Sequence, residues 1–279
     1  MFFLVAFWFL EVFMFFRLLL YNKNIHILTT AILAWYHQYF KGLPQRAWKL
    51  HQDEDFTLHE ADFLWDVLEL EAGSRVLDVL AGYGRHAVPL AKDGCELTCI
   101  DISQEYCEEL EALRIASKLP ITVRCEDVLE SNFADAPFDA AYCFGNSFSF
   151  FPGKDLQKMV AMVAGKLKPG GCFAIHTQNL AESVFTNFQT RNWMPVNDTI
   201  TYLAENEYNA LEGCIEAEQT FLSGDEKITH QVKQYIFTLA EIRAIFENCG
   251  FTILGAYSSI EADQYLLGDE ALYLVARKK

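Results

Sequence analysis

The segment Val76-Leu77-Asp78-Val79-Leu80-Ala81-Gly82-Tyr83-Gly84-Arg85-His86-Ala87 constrains the fold of this chain more than any other. An aliphatic run reaches an acid, passes through small residues, and gives way to a helix-forming stretch. Glycine suits such a strand-to-helix turn because a ligand can approach the backbone where no Cβ intervenes. The helix that follows presents free N–H groups and a positive dipole end to a carboxylate or phosphate. Taken alone, Gly82-x-Gly84-x-x-Ala87 also suits a nicotinamide dinucleotide, since Asp101 ends the next apolar run.

The flanking sequence repeats the strand-then-helix alternation. Thr57-Leu58-His59-Glu60 has the form of a capping box and predicts a helix through about Leu70. Strands are expected at Arg75–Leu80, Cys95–Asp101, Ile121–Cys125, Phe138–Phe144 and Cys172–Thr177. Helices are expected at Gly84–Asp93, from the N-cap Ser103 to about Ser117, and at about Asp155–Leu167. Alternation at this spacing argues for an α/β doubly wound parallel sheet. After Asn192 the period changes. Residues 193–237 alternate polar and apolar, with turn signals at Glu212-Gly213 and Gly224-Asp225, and read as an inserted sheet of three or four antiparallel strands. A second capping box, Thr238-Leu239-Ala240-Glu241, opens a helix ended by Gly250, and strands at Phe251–Ser258 and Glu270–Arg277 close the chain.

With 279 residues and no Pro/Gly/Ser-rich linker, one large domain with an insertion fits better than two small domains. The formal net charge of −16, without any Lys/Arg stripe, argues against a nucleic-acid partner. A small neutral or cationic substrate is expected instead. The eight cysteines show neither C-x-x-C nor Cys/His spacing. They read as reduced thiols of a cytoplasmic protein, with no metal site. Met1–Leu20 is almost wholly apolar but carries Glu11 and Arg17. Three readings stand for this extension, residues 1–34: a membrane anchor with the domain on the cytoplasmic side, an apolar segment packed on the domain or an oligomer interface, or translated upstream sequence without function.

Three features favour S-adenosylmethionine over a dinucleotide. Asp78 ends the first strand before the turn, Glu126-Asp127 follows the third, and Leu167-Lys168-Pro169-Gly170-Gly171 precedes the fifth. In this ordered set the chain, from about Trp35 to its C-terminus, resembles the class I S-adenosylmethionine-dependent methyltransferases. The resemblance implies a Rossmann-like seven-stranded sheet with a reversed last strand, plus the small antiparallel insertion. It implies a methyltransferase domain spanning 35–279, with residues 193–237 covering the substrate side. It also implies that Asp78 lies near the methionine amino group, that Ala81, Gly82 and Gly84 line the cofactor, and that Asp101 beside Ile102 accepts from the ribose hydroxyls. Asp127 beside Val128 would accept from the adenine amino group. Phe144 and Asn146 would border the sulfonium and the incoming nucleophile. The chain departs from the family at Leu80, where a small residue is usual.

Methyl transfer from a sulfonium is an in-line displacement that rests on positioning and a dry site. Should the nucleophile arrive protonated, His176 at the end of the fifth strand is the candidate base, with His86 and His230 behind it. Phe144-Gly145-Asn146-Ser147-Phe148 and the insertion look similar to bacterial small-molecule methyltransferases, including amino-sugar N-methyltransferases. Arg191, Trp193, Tyr202 and Tyr208 are candidate pocket residues. The expected reaction is N- or O-methylation of a small molecule. The alternatives are a non-catalytic S-adenosylmethionine-binding protein and a nicotinamide-dependent oxidoreductase.

Overall fold

A computed structural model describes residues 34–134 and 137–279. In chain order, helices α1 (Tyr36–Tyr39), α2 (Gly42–His51) and α3 (Glu54–Val67) precede β1 (Arg75–Val79), α4 (Ala87–Lys92), β2 (Glu96–Asp101), α5 (Gln104–Ser117) and β3 (Ile121–Cys125). Then come β4 (Phe138–Cys143), α6 (Gly153–Lys166), β5 (Leu167–Thr177) and α7 (Ala181–Val184). The inserted strands follow as β6 (Arg191–Pro195), β7 (Thr201–Asn209), β8 (Cys214–Ser223) and β9 (Glu226–Tyr235). Helix α8 (Leu239–Asn248), β10 (Phe251–Tyr257) and β11 (Leu272–Lys278) end the chain.

The seven-stranded sheet has the order β10-β11-β5-β4-β1-β2-β3, and only β11 runs antiparallel to its neighbours. The chain winds one way from β1 to β3 and the other way through β4 and β5. A crevice therefore opens between the loops leaving β1 and β4, the switch point at which doubly wound sheets bind ligands. Side chains alternate along each strand, so both faces carry a core. Leu77, Val79, Ala141, Phe173 and Ile175 meet α6 and α8 on one face. Val76, Cys99, Ala140, Tyr142 and Ala174 meet α3, α4 and α5 on the other. A third core lies outside this sheet, where Tyr39, Leu43 and Ala47 pack on Tyr202, Ala204, Ala217, Phe221 and Val232 of the inserted sheet.

Several boundaries differ from the sequence expectation. Helix α3 begins at Glu54, because the Asp53 carboxylate accepts the Phe56 N–H at 2.8 Å and caps it four residues earlier than Thr57 would. Glu60 is accordingly no capping residue but a buried partner of Arg85 and His86. Helix α4 begins at Ala87 rather than Gly84, since the turn takes the residues between. Strand β5 starts at Leu167, five residues before the expected Cys172. The insertion has four strands, spanning 191–235. All eight cysteines are free, six of them buried. Residues 1–33, with the apolar run Met1–Leu20 and its anchor reading, lie outside the described residues. Among the described residues no helix is long and apolar enough to cross a membrane.

Candidate active site

A cavity of about 360 Å³ opens at the C-terminal ends of β1, β2 and β4. Its floor is the turn after β1, in which Leu80, Gly82 and Gly84 have φ of 62°, 57° and 77°. That left-handed backbone favours glycine, which accounts for the small residue usual at position 80. Leu80 holds the conformation and lines the cavity. Gly82 also lines it, and its N–H donates to Asp101 Oδ2 at 2.7 Å. Gly84 does not line it: a Cβ there would come within 2.6 Å of Leu110 Cδ1, so this glycine serves the contact between the turn and α5.

The three acids expected on the cofactor all border this cavity, each held differently. Asp78 is buried and accepts from the Tyr142 hydroxyl at 2.8 Å. Burial pushes its carboxyl up to about 7; the Tyr142 bond opposes this, the Asp101 charge adds to it, and Arg85 opposes it. Asp101 also accepts the Ser103 N–H at Oδ1, 2.8 Å. Burial raises its carboxyl despite the backbone donors from Ser103 and Gly82. Asp127 accepts the Leu129 N–H at 2.8 Å, and its Oδ2 lies 3.4 Å from His37 Nε2 on α1. Ala81, Ile102, Val128, Phe144 and Asn146 complete the expected set at the cavity wall. Asn146 Oδ1 accepts the Gln178 N–H at 2.8 Å.

Of the opposite wall, only Tyr202 was legible beforehand. Trp35, Tyr36, Tyr39, Phe40 and Trp48 from α1, α2 and their approach line it, together with Tyr202, Gln219 and Gln234 of the inserted sheet. The Trp48 indole N–H donates to the Tyr39 hydroxyl oxygen at 2.7 Å, and Tyr39 donates in turn to Gln219 Oε1. Indole is donor-only, so the direction of this relay is fixed. Gln219 therefore turns its carbonyl oxygen to Tyr39 and leaves its amino group for the cavity. Of the other candidates in the insertion, Trp193 is 70 % exposed, Arg191 pairs with Glu205, and Tyr208 packs on Phe185. His230 stacks edge-on near Tyr39 at 5.3 Å.

Beside Phe144 lies a largely buried polar cluster, of which Arg85 and His86 reach the cavity. Glu60 accepts from Arg85 and lies 3.1 Å from His86 Nε2 and 3.5 Å from the Tyr273 hydroxyl. Burial works against the Glu60 charge, but the His86 bond and the His86 and Arg85 charges outweigh it and hold the carboxyl at about 2. His86 is pushed down to about 4, by burial and then by Arg85, so its imidazole is neutral at pH 7. His176 sits in the same layer, 4.7 Å from the Tyr273 ring and 5.9 Å from Phe144. It does not line the cavity, because strand alternation turns it toward α3 while Thr177 faces Asn146 and Ser149. Burial lowers its imidazole to about 4. The base expected at His176 is thus placed behind the wall rather than in it.

A parallel sheet with a reversed last strand, acids at the ends of β1, β2 and β3, and a crevice at the switch point define the class I methyltransferase architecture. Residues 76–171 match the family described as a methyltransferase domain. A glycine/sarcosine N-methyltransferase of Aphanothece halophytica is 23 % identical over 246 residues, covering 87 % of this chain and 90 % of that one. Among solved structures, the CcbJ methyltransferase of Streptomyces caelestis superposes with a TM-score of 0.76 at 16 % identity, covering 87 % and 98 % of the two chains. CalS10 of Micromonospora echinaspora, an amino pentose methyltransferase solved with S-adenosylmethionine bound, gives 0.66 at 17 %, covering 86 % and 98 %. The chain is an S-adenosylmethionine-dependent methyltransferase with the class I fold. The nicotinamide and non-catalytic readings give way to this assignment.

Proposed function

We propose that this methyltransferase acts on the nitrogen of a small amine that carries an oxygen acceptor, such as an amino acid or a hydroxylated amine. The observation that carries the reading is the oriented Gln219 amide at the wall opposite the acids, with its amino group free to donate. Aromatic rings and the neutral amides of Asn146, Gln178, Gln219 and Gln234 line that part of the cavity. An amine fits such a wall better than a phenol or alcohol does. A neutral amine already exposes its lone pair, whereas a hydroxyl needs a base placed to take its proton. The glycine/sarcosine relative and the amino pentose neighbour act on amines of this kind by name.

The donor set fits the cofactor. Asp101 keeps lone pairs beyond its two backbone donors for ribose hydroxyls, and Asp78 offers a carboxylate to an ammonium group. Asp127, Val128 and Ile102 would border the adenine, and the close approach at Gly82 needs no side chain. S-adenosylmethionine supplies a methyl group on a sulfonium that is already a good leaving group. The protein's share is to align the acceptor nitrogen beside Phe144 and Asn146, exclude water with the aromatic wall, and release the departing proton to solvent.

The test supplies the purified enzyme with S-adenosylmethionine and a panel of glycine, sarcosine, amino sugars, ethylamine and simple phenols, and measures S-adenosylhomocysteine formed. Turnover is expected with oxygen-bearing amines and little with ethylamine. Turnover confined to phenols would overturn the amine reading.

A further inference from the structure

Cys107 and Cys125 meet where α5 follows β2 and the chain leaves β3. Cys125 is the last residue of β3 and the register partner of Asp101, the last residue of β2. The Asp101 carbonyl oxygen accepts the Cys107 S–H at 3.5 Å. The same oxygen accepts the N–H of Glu126, one residue past Cys125, at 2.9 Å. The Cys125 S–H in turn donates to Gln104 Oε1 at 3.2 Å. Gln104 and Cys107 stand one turn apart at the start of α5 and so share a side of that helix. These contacts bring both thiols into one notch between the first turn of α5 and the end of β3.

The two thiols differ in access. Cys125 is exposed, whereas Cys107 is 5 % exposed. Burial, and then the Cys125 thiol beside it, pushes the Cys107 thiol up. Cys125 is therefore the thiol that meets an oxidant, and Cys107 the one that closes on it. The other six cysteines are buried except Cys249, which is half-buried. The Cys249 thiol donates to the Gln157 carbonyl oxygen of α6, on the face of the sheet away from α5. The notch adjoins the cofactor cavity, which Asp101 and Ile102 border after β2, and Asp127 and Val128 after β3.

We propose that Cys107 and Cys125 form a reversible disulfide, made by exchange with a low-molecular-weight disulfide, which ties β3 to α5 and draws Asp127 away from the adenine. The Cys125 thiolate attacks the S–S bond of the oxidant and expels one thiolate. The Cys107 thiolate then attacks Cys125 Sγ and expels the second. One S–S bond breaks and one forms, the two thiol protons pass to the two expelled thiolates, and the oxidant leaves as two thiols. Closure takes both S–H groups off their acceptors, the Asp101 carbonyl and Gln104 Oε1. Only the effect on the cofactor rests on its placement along Asp101 and Asp127; the disulfide itself does not.

Treating the full chain with oxidised glutathione, then digesting it without reductant for mass spectrometry, tests the pair. The expected product is a peptide linking Cys107 to Cys125 that dithiothreitol cleaves. Cys107→Ser should instead retain glutathione on Cys125, and Cys125→Ser should take up none at Cys107. By calorimetry, the oxidised protein should bind S-adenosylhomocysteine about tenfold more weakly, as for loss of one charge-assisted hydrogen bond, and reduction should restore it. Cys125→Ser should bind as the reduced native protein does, with or without oxidant. A glutathione adduct on native Cys125 that never gives way to the linkage, a linkage to another cysteine, or no oxidation at all overturns the pairing. A linked protein with unchanged affinity overturns the coupling to Asp127. Failure of the ligand to bind the reduced protein would instead sink the placement of the cofactor, with the linked peptide still deciding the pairing.

Discussion

Tyr39 and Gln219 lie 180 positions apart and share one buried hydrogen bond, with the tyrosine as donor. The tyrosine comes from a short helix before the sheet and the glutamine from the second strand pair of the insertion. Burial raises the Tyr39 phenol well above its ordinary range, so it remains a donor throughout the physiological pH range. This contact fixes which end of the glutamine faces the cavity.

Tyr39→Phe frees Gln219 to rotate while keeping the ring. Loss of one neutral hydrogen bond of about 1 kcal/mol should raise KM for the methyl acceptor roughly fivefold. S-adenosylhomocysteine affinity should be unchanged, because neither residue borders the acids. Steady-state kinetics and calorimetry separate the two effects, and a change in cofactor affinity alone would refute the assignment.

Asp78 makes cofactor binding depend on pH. Its carboxyl is raised to about 7, so below that pH it is neutral and cannot pair with an ammonium group. S-adenosylhomocysteine affinity should fall about tenfold for each pH unit below the carboxyl's pKa and level off above it. The same shift favours the folded ligand-free protein at low pH and progressively disfavours it as pH rises from about 4, the ordinary aspartate value, to the raised one. Asp78→Asn should flatten both curves. A native affinity independent of pH from 5 to 8 would rule out this role.

Asp101→Ala should weaken S-adenosylhomocysteine binding by about ten- to a hundredfold, as expected for losing charge-assisted bonds. Asp127→Ala should cost less, because Asp127 already shares its carboxylate between Leu129 and His37. Equal or reversed losses by calorimetry would mean that the cofactor lies along the sheet edge differently.

Gly84→Ala tests the separation of packing from binding. A Cβ at Gly84 meets Leu110, and its φ of 77° suits glycine. The variant should lose about 2 kcal/mol of stability, from backbone strain and overpacking together, and its melting temperature should fall accordingly. Cofactor affinity measured well below that temperature should change little, since Gly84 does not line the cavity.

Local pattern alone determined the alternation of strands and helices, the Ser103 and Thr238 caps, and the acids at the ends of β1, β2 and β3. Each of these is written in neighbouring residues: a period of two or of 3.6, a hydroxyl three positions before a glutamate, a carboxylate beside small residues. Local pattern misled at Glu60, where a capping-box spacing concealed a buried partner of Arg85 and His86. It misled again at His176, where position at a strand end suggested access but side-chain alternation turned the ring inward. Tertiary structure decided the opposite wall. Trp35, Tyr39 and Trp48 meet Tyr202 and Gln219 only because α1 and α2 fold across the mouth of the sheet onto the inserted strands. No short-range period records that contact. Its driving force is burial of aromatic surface between segments far apart in the chain, and the identity of each side chain does not specify which distant partner will cover it.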